Sequence, residues 1–216
     1  MDLTGKVCVI TGASSGIGQS LAIKTSLKGA TVVMAARRNS KLITIKEKID
    51  NEGGRCIGIR TDITKKLECK QLIDETINLY GKIDILILGA GVSMWSPFED
   101  ITDISFFEDL MATNYSGAVH CIHAALPHLI SSKGIIVSCS TAQALVGFTN
   151  HSGYAASKHA LHGFLDTLDM ELNGKVQFLE ACLGWIRGTN MRSNAFGPNG
   201  TKMGETKRKH SSNSVD

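Results

Sequence analysis

The sequence predicts an α/β fold: a Rossmann-like, doubly wound parallel sheet with three layers in a single domain. Two observations support this prediction, namely six short apolar runs rich in β-branched residues and longer amphipathic segments between them. Strands that are apolar at nearly every position are typical of a sheet covered by helices on both faces. Regular alternation of such strands with helices favours parallel pairing, because each helix returns the chain to the end of the sheet at which the previous strand began.

The predicted elements follow in regular order along the chain. The strands are predicted at residues 7–11, 31–35, 56–60, 83–88, 135–139 and 176–182. The helices, which repeat apolar residues at helical spacing, are predicted at residues 17–28, 41–52, 66–80, 105–131 and 154–172. Pro127 interrupts the fourth helix near its end. The ligands of such sheets bind at the carboxyl ends of the strands, so functional residues are expected just after each strand.

Length and composition narrow the range of functions. With 216 residues, we expect one domain over residues 1–191 and a polar, mobile tail over residues 192–216, a possible truncation. A net charge of +3 argues against a nucleic-acid partner. No signal peptide and no apolar run of transmembrane length is found, so we expect a cytoplasmic protein without a transmembrane segment. The six cysteines are scattered and the histidines lack metal-ligand spacing, so no metal site is expected.

A glycine-rich turn follows the first strand and leads into the first helix. Its sequence is Thr11-Gly12-Ala13-Ser14-Ser15-Gly16-Ile17-Gly18. Glycines allow close backbone approach, and the free N–H groups of the helix N-terminus attract a pyrophosphate. Such a turn alone is also common in ordinary loops, but its place between strand and helix indicates a dinucleotide site. The candidate contacts are Gly12, Ser14, Ser15, Gly16, Ile17 and Gly18.

The end of the second strand indicates which dinucleotide is bound. An acidic residue there would bind a ribose 2′-hydroxyl, whereas an arginine would bind a 2′-phosphate. The chain has Arg37 and Arg38 and no acid, which predicts NADP(H) with Arg37 as the main contact. Two solvated arginines on a loop are the alternative.

Two further strand ends complete the predicted cofactor site. Asp62 and Ile63 follow the third strand, where an adenine ring could rest. Asp62 could equally be the N-cap of the next helix, which is the commoner role for such a residue. Gly89, Ala90 and Gly91 follow the fourth strand and are the remaining candidates there.

Tyr154 and Lys158 lie four residues apart at the start of the last predicted helix. At this spacing both side chains lie on one helix face and can reach the same site. A phenol has a pKa of about 10, and a neighbouring ammonium can lower it by about 1–3 units. That shift would bring Tyr154 toward the range of general acid and base catalysis. The spacing alone occurs by chance in many helices.

Taken in order, these motifs resemble the short-chain dehydrogenase/reductases, in particular members related to 11β-hydroxysteroid dehydrogenases. The resemblance runs from Leu3 to about Met191. It implies that Tyr154 exchanges a proton with the substrate oxygen while nicotinamide C4 exchanges a hydride. It further implies that Lys158 binds the nicotinamide ribose and that Asn114, in Thr113-Asn114-Tyr115-Ser116-Gly117, holds a water in the proton relay.

The chain departs from the family pattern at three places. Counted back from Tyr154, the substrate-orienting serine of the family falls on Thr141, whose hydroxyl can still donate a hydrogen bond, with Ser140 as the alternative. Leu88-Gly89-Ala90-Gly91 stands where the family has N-N-A-G, and the lost asparagine is expected to tie the central strands together, so its absence should cost some stability. After the sixth strand the family's Pro-Gly becomes Leu183-Gly184. The loop that follows has one extra residue or a shifted register, with Ile186 and Thr189 as candidate cofactor contacts.

The resemblance leads to two alternative functions. The first is an NADP(H)-dependent enzyme that interconverts an apolar ketone or aldehyde, such as a steroid-, lipid- or retinoid-like carbonyl, and its alcohol. The second is a cofactor-binding protein with little turnover. Relatives continue through a further helix and a seventh strand, whereas this chain has the polar residues 192–216, so part of the substrate pocket is expected to be missing. The helices at 105–131 and 154–172 have wide apolar faces, which favours a homodimer or homotetramer.

Other residues have competing explanations. The aromatic and methionine side chains at positions 94, 95, 98, 106 and 107 could line a substrate pocket or form core. His151, His159 and His162 are expected to be structural. The basic cluster Lys207-Arg208-Lys209 is expected to be solvated rather than a nucleic-acid or membrane site.

Overall fold

The computed structural model describes residues 2–204 as one six-stranded parallel sheet with helices on both faces. The strands are β1 Val7–Thr11, β2 Thr31–Ala36, β3 Arg55–Arg60, β4 Ile85–Leu88, β5 Ile135–Thr141 and β6 Gln177–Leu183. The helices are α1 Gly16–Ser26, α2 Asn39–Asn51, α3 Lys66–Tyr80, α4 Phe106–Met111, α5 Gly117–Ser132 and α6 Ser152–Leu172. The strand order is β3-β2-β1-β4-β5-β6. Within this range, no helix is long and apolar enough to cross a membrane.

The sheet separates two apolar cores. Successive side chains of a strand point to opposite faces, so Val9 of β1 joins one core and Ile10 joins the other. Helices α3, α5 and α6 cover the first face, and α1 and α2 cover the second. Both valine and isoleucine are fully buried. The fold predicted from the apolar runs is therefore confirmed, because only a sheet covered on both faces buries adjacent residues of one strand.

Two element boundaries differ from the prediction in ways that affect the site. Strand β5 extends two residues further, to Thr141, so Ser140 and Thr141 lie on the strand itself. The single helix predicted at 105–131 is interrupted by a π-helical turn, Ala112–Ser116, between α4 and α5. A π turn adds one residue to the helical repeat, which a pattern of apolar spacing does not reveal. Helix α5 continues through Pro127.

Within the described residues, β6 pairs on one side only, with β5. Each of its side chains is exposed or half-buried, and Leu179 is 52% exposed. Within residues 2–204 the sheet therefore ends at β6, as predicted.

The segment at 192–204, expected to be a mobile polar tail, packs against the loop that follows β4. Phe196 forms isolated bridges with Met94 and Lys202, and its carbonyl accepts a hydrogen bond from Trp95 N at 2.9 Å. Ala195 and Phe196 are buried, a short apolar pair that the polar composition of the tail conceals. The Lys207-Arg208-Lys209 cluster lies outside the described residues. The proposed division of the chain after residue 191 stays a prediction.

Candidate active site

A cavity of about 700 Å³ opens at the carboxyl ends of the strands. Every candidate cofactor residue predicted from the sequence lines it, together with Ser140 and Thr141. These lining candidates are Gly12, Ser14, Ser15, Gly16, Ile17, Gly18, Arg37, Arg38, Asp62, Ile63, Gly89, Ala90, Gly91, Ser140, Thr141, Tyr154, Lys158, Gly184, Ile186 and Thr189. Asn114 is buried and does not itself line the cavity. The topology thus collects residues from all six strand ends in one place, as parallel pairing requires.

The glycine turn lies against the end of β4, and two of its glycines, Gly12 and Gly18, have no space for a side chain. Gly12 has a φ of 69°, and a Cβ there would lie 2.7 Å from the backbone of Ala90. A Cβ on Gly18 would lie 2.5 Å from the carbonyl oxygen of Gly12. Thr11 Oγ1 accepts hydrogen bonds from the N–H groups of Gly89 and Ala90, at 3.1 and 3.3 Å. The start of α1 is therefore open to a ligand, which suits a pyrophosphate.

Arg38, rather than Arg37, contacts the glycine turn. Its guanidinium donates to Ser14 Oγ at 2.9 Å and to Ser15 Oγ at 2.8 Å. Arg37 is exposed and also lines the cavity. The two arginines and two serines form a cationic, hydrogen-bonding corner next to the end of β2.

Asp62 stabilises a local turn rather than capping a helix. Its carboxylate accepts from Thr64 N at 3.1 Å and from Thr64 Oγ1 at 2.9 Å, while Lys65 occupies the N-cap of α3. The backbone N–H of Asp62 donates to Glu68 at 2.7 Å. Ile63 is buried and packs against Gly117. Of the two roles considered for Asp62, helix capping is not the one it has here.

Asn114 holds the loop after β4 against α6. It lies in the π turn, is 1% exposed, and its amide exchanges two 2.9 Å hydrogen bonds with the backbone of Val92. Its Nδ2 also donates to Ser157 Oγ at 2.9 Å, and Ser157 Oγ donates to the carbonyl of Tyr154 at 2.8 Å. Both amide donors are thus occupied. The direct effect of this side chain is to fix the position of α6.

Tyr154 and Lys158 lie on the same face of α6 and are 7% and 5% exposed. Burial raises the pKa of Tyr154 to about 12. Burial also lowers the pKa of Lys158, against the opposing effects of Cys139 and Glu180. Lys158 Nζ donates to the carbonyl of Cys139 at 3.2 Å. The expected lowering of the tyrosine pKa by the ammonium is therefore wrong for this structure, because burial of the phenol dominates.

The two candidate hydroxyls at the end of β5 differ in their surroundings. Thr141 Oγ1 accepts a hydrogen bond from Gln143 N at 3.4 Å, which leaves its own proton free to be donated. Ser140 is 5% exposed and belongs to the strand face on which Ser138 also lies. Successive strand residues point to opposite faces, so the two hydroxyls cannot serve the same position.

The loop after β6 returns to the glycine turn. Thr189 Oγ1 donates to the carbonyl of Ile186 at 3.2 Å, and its Cβ lies 3.5 Å from the position of a Cβ on Gly16. Gly184 and Ile186 line the cavity between Thr189 and the end of the strand. The loop thus places Thr189 over the turn despite its departure from the family spacing.

An aromatic cluster lines the other part of the cavity. His151 lies edge-on to Trp95, with ring centroids 4.9 Å apart, and Trp185 lies 5.9 Å from Trp95. His151 Nδ1 lies 2.8 Å from the carbonyl of Thr149, and burial lowers the pKa of the imidazole. Phe106 and Phe107 instead pack in the small core near Phe196.

Sequence reasoning missed several lining residues, among them Arg192 and Lys202. Arg192 stacks on Trp95, with 4.7 Å between the guanidinium carbon and the ring centroid. Lys202 Nζ lies 3.0 Å from the centroid of the Phe196 ring. Both come from the segment that was expected to be a mobile tail. The pair Ala195-Phe196, apolar within a polar stretch, was the one signal that this segment packs on the protein.

A cluster outside the cavity joins α6 to β6. His162 Nδ1 lies 2.5 Å from Glu180 and its Nε2 lies 3.4 Å from Asp166. The ligand atoms of the three residues lie within 4.8 Å of one another, an arrangement that the sequence spacing did not suggest. The hydrogen bonds within the cluster account for the arrangement, and His159 likewise contacts a backbone carbonyl, that of Ala155.

Comparison with known proteins identifies relatives over most of the chain. The model of the short chain dehydrogenase family matches residues 6–199. An 11-beta-hydroxysteroid dehydrogenase-like protein of Arabidopsis thaliana is 40% identical over 196 residues, which cover 90% of this chain and 63% of the relative. The chain spans 53–63% of the length of such curated relatives.

Solved structures share the fold. A short chain dehydrogenase/reductase from Burkholderia phymatum in complex with NAD has a TM-score of 0.84 at 26% identity, covering 90% of this chain and 70% of that one. A 7α-hydroxysteroid dehydrogenase complexed with NADH and 7-oxo glycochenodeoxycholic acid has a TM-score of 0.80 at 28% identity, covering 86% and 73%.

The close approach at Gly12 makes a prediction about stability. Gly12→Ala is expected to destabilise the protein by about 2 kcal/mol, because the new Cβ meets the backbone of Ala90 at a positive φ. Gly163→Ala, in open space on α6, is the control and should stabilise by up to about 1 kcal/mol. Urea denaturation measures both. An unchanged midpoint for Gly12→Ala would show that the turn is not tightly packed.

Proposed function

This chain belongs to the short-chain dehydrogenase family, and we propose that it is an NADP(H)-dependent oxidoreductase that interconverts a ketone or aldehyde and an alcohol by hydride transfer. The observation that supports the proposal most strongly is that Tyr154, Lys158 and Thr141 line the same cavity as the glycine turn. A protein that only bound a dinucleotide would have no physical need of a buried phenol and a buried ammonium beside it.

The residues of the cavity fit a nicotinamide dinucleotide. Gly12 and Gly18 leave no space for a Cβ, and the N-terminus of α1 offers N–H groups to a pyrophosphate. Arg37 and the Arg38–Ser14 pair would hold a 2′-phosphate, and Thr189 would contact the carboxamide. When bound, the cofactor supplies or accepts the hydride.

Tyr154 is the proposed acid and base. With its pKa raised to about 12, the phenol keeps its proton at neutral pH and can donate it to a substrate oxygen. Thr141 Oγ1 would donate a second hydrogen bond to that oxygen, since its acceptor lone pair is used by Gln143.

Two buried side chains, those of Lys158 and Asn114, support the action of Tyr154 and Thr141. Lys158 Nζ, now bonded to the Cys139 carbonyl, would also bind the nicotinamide ribose. Asn114 is a positioning residue, because its amide holds Val92 and Ser157 in place by hydrogen bonds on either side of the site. We further propose, from the family resemblance, that Asn114 holds a water of the proton relay.

The substrate is proposed to be an apolar carbonyl compound, such as a steroid-, lipid- or retinoid-like ketone or aldehyde. Trp95 and Trp185 line the cavity, and side chains of this kind bind apolar surface. The hydroxysteroid dehydrogenases among the relatives are consistent with a substrate of this kind.

We also propose a homodimer or homotetramer in a reducing compartment such as the cytoplasm. Met170 on α6 is 74% exposed, in line with an apolar face available for association. All six cysteines are free thiols, and the buried sulfurs of Cys69 and Cys121 lie 3.6 Å apart without a bond between them. A reducing environment keeps such a pair unlinked.

Turnover tests the proposed function. The protein is mixed with NADPH and a panel of apolar ketones and aldehydes, and absorbance at the nicotinamide band is followed. Tyr154→Phe should lower turnover by about 10²–10⁴-fold, because the proton donor is lost. Thr141→Ala should lower it by about 10²-fold, and Thr141→Ser should restore it.

Ser140→Ala is the matched control and should change turnover little. Activity that survives the loss of Thr141 but not of Ser140 would exchange their roles. Cofactor binding without oxidation of NADPH across the panel would instead favour the alternative, a cofactor-binding protein with little turnover.

The raised pKa of Tyr154 predicts opposite pH profiles for the two directions. Carbonyl reduction needs the protonated phenol, which is present below the pKa, so its rate should stay level from pH 6 to 9. Alcohol oxidation needs the phenolate, so its rate should rise by about tenfold per pH unit over that range. Initial rates in both directions measure the profiles. An oxidation rate already constant at pH 7 would mean that the phenol ionises near neutrality.

The arginines predict cofactor preference. NADPH should bind at least about tenfold more tightly than NADH, and Arg37→Gln should weaken NADPH binding by about 10–100-fold while leaving NADH binding unchanged. Lys41→Gln, which removes an exposed charge at the start of α2, is the control. Calorimetric titration of the unmodified protein and the two variants with each cofactor gives the six affinities. Equal affinity of the unmodified protein for NADH and NADPH would contradict the assignment.

A further inference from the structure

Two cationic residues of the cavity lining have no role in the cofactor contacts proposed above. Among residues 2–204, the lining of the cavity contains one carboxylate, on Asp62, and five cationic residues: Arg37, Arg38, Lys158, Arg192 and Lys202. Three of these have roles in the proposed function, at the phosphate corner and at the ribose. Arg192 and Lys202 remain, and both belong to the segment that closes over the site after β6.

The two remaining cations differ in their surroundings. The charge of Lys202 lies over the Phe196 ring and is attracted by Asp109. Arg192 stacks on Trp95, and among residues 2–204 no carboxylate lies within ion-pair distance of its guanidinium. Its Nε is also buried and has no hydrogen-bond partner within the described part of the chain. A buried donor of a charged group without an acceptor costs free energy, which a bound anion would recover.

Arg192 lies on the aromatic side of the cavity, where a series of ring contacts connects it to Tyr154. The ring centroids of Tyr154 and His151 lie 6.2 Å apart, and those of His151 and Trp95 lie 4.9 Å apart. The guanidinium carbon of Arg192 lies 4.7 Å from the ring centroid of Trp95. The phosphate corner, in contrast, is formed by Arg38 on Ser14 and Ser15 at the end of β2. A ligand with its carbonyl at Tyr154 would extend along the tryptophan toward Arg192.

We propose that Arg192 forms an anion subsite, so that the preferred substrate is an apolar carbonyl compound that also carries a carboxylate or another anionic group. This inference rests on the proposed function, since it takes Tyr154 as the place of the carbonyl. The planar guanidinium stacked on Trp95 presents its remaining N–H groups in the fork that matches a carboxylate. The aromatic rings between the two ends bind the apolar part of the same molecule.

Direct binding tests the subsite without requiring turnover. The ligand pair is 10-oxoundecanoate and its methyl ester, which share one apolar ketone chain and differ in the charge. Calorimetric titrations are made with the protein alone and with excess NADP⁺. The acid should bind at least about tenfold more tightly than the ester, a difference typical of one charge-assisted hydrogen-bonded pair.

Variants assign the preference to one residue. Arg192→Gln should abolish the preference for the acid, and Arg192→Lys, which keeps the charge but not the fork, should retain part of it. Arg55→Gln removes an exposed arginine on β3, outside the cavity lining, and should leave the preference unchanged. Circular dichroism and thermal melting of each variant verify that it is folded.

Three outcomes would overturn the proposal: equal affinity for acid and ester, a preference that survives Arg192→Gln, or no binding of either ligand. A loss of NADPH affinity in Arg192→Gln with the preference intact would assign the arginine to a cofactor phosphate instead. Failure of the proposed function is distinguishable, because selective binding of the acid without any turnover would contradict the enzyme and leave the subsite standing.

Discussion

The contact between the glycine turn after β1 and the end of β4 is the constraint on which the site depends. Gly12 and Gly18 lie so close to neighbouring backbone that neither position has space for a Cβ. Thr11 joins the two strand ends by accepting from Gly89 and Ala90. This contact directs the N-terminus of α1 into the cavity, and the other strand ends are arranged around it by parallel pairing.

Burial gives the cavity its chemistry. Tyr154 and Lys158 are enclosed between α6 and the end of β5, where desolvation keeps the phenol protonated and disfavours the charged ammonium. Asn114 fixes this arrangement through Val92 and Ser157, and the π turn that carries it is the one irregularity between α4 and α5. The π turn and the buried phenol and ammonium thus lie together where the chemistry is proposed.

Much of this arrangement could be predicted from the sequence, and the limits have physical causes. Adjacent apolar residues such as Val9 and Ile10 indicate a sheet covered on both faces, and parallel strands bring their ends together without further information. The π turn at Asn114 and the extension of β5 to Thr141 could not be predicted, because both are set by tertiary hydrogen bonds. Arg192 was missed for a similar reason, since its position depends on the packing of Phe196 within a polar segment.

The proposed function requires that this cavity hold a nicotinamide cofactor with its ring beside Tyr154. A crystal structure of the protein with NADPH tests this most directly. We expect the pyrophosphate at the N-terminus of α1, the nicotinamide ring between Thr189 and Tyr154, and Lys158 Nζ on the ribose. A cofactor bound elsewhere, or one whose nicotinamide ring points away from Tyr154, would contradict it.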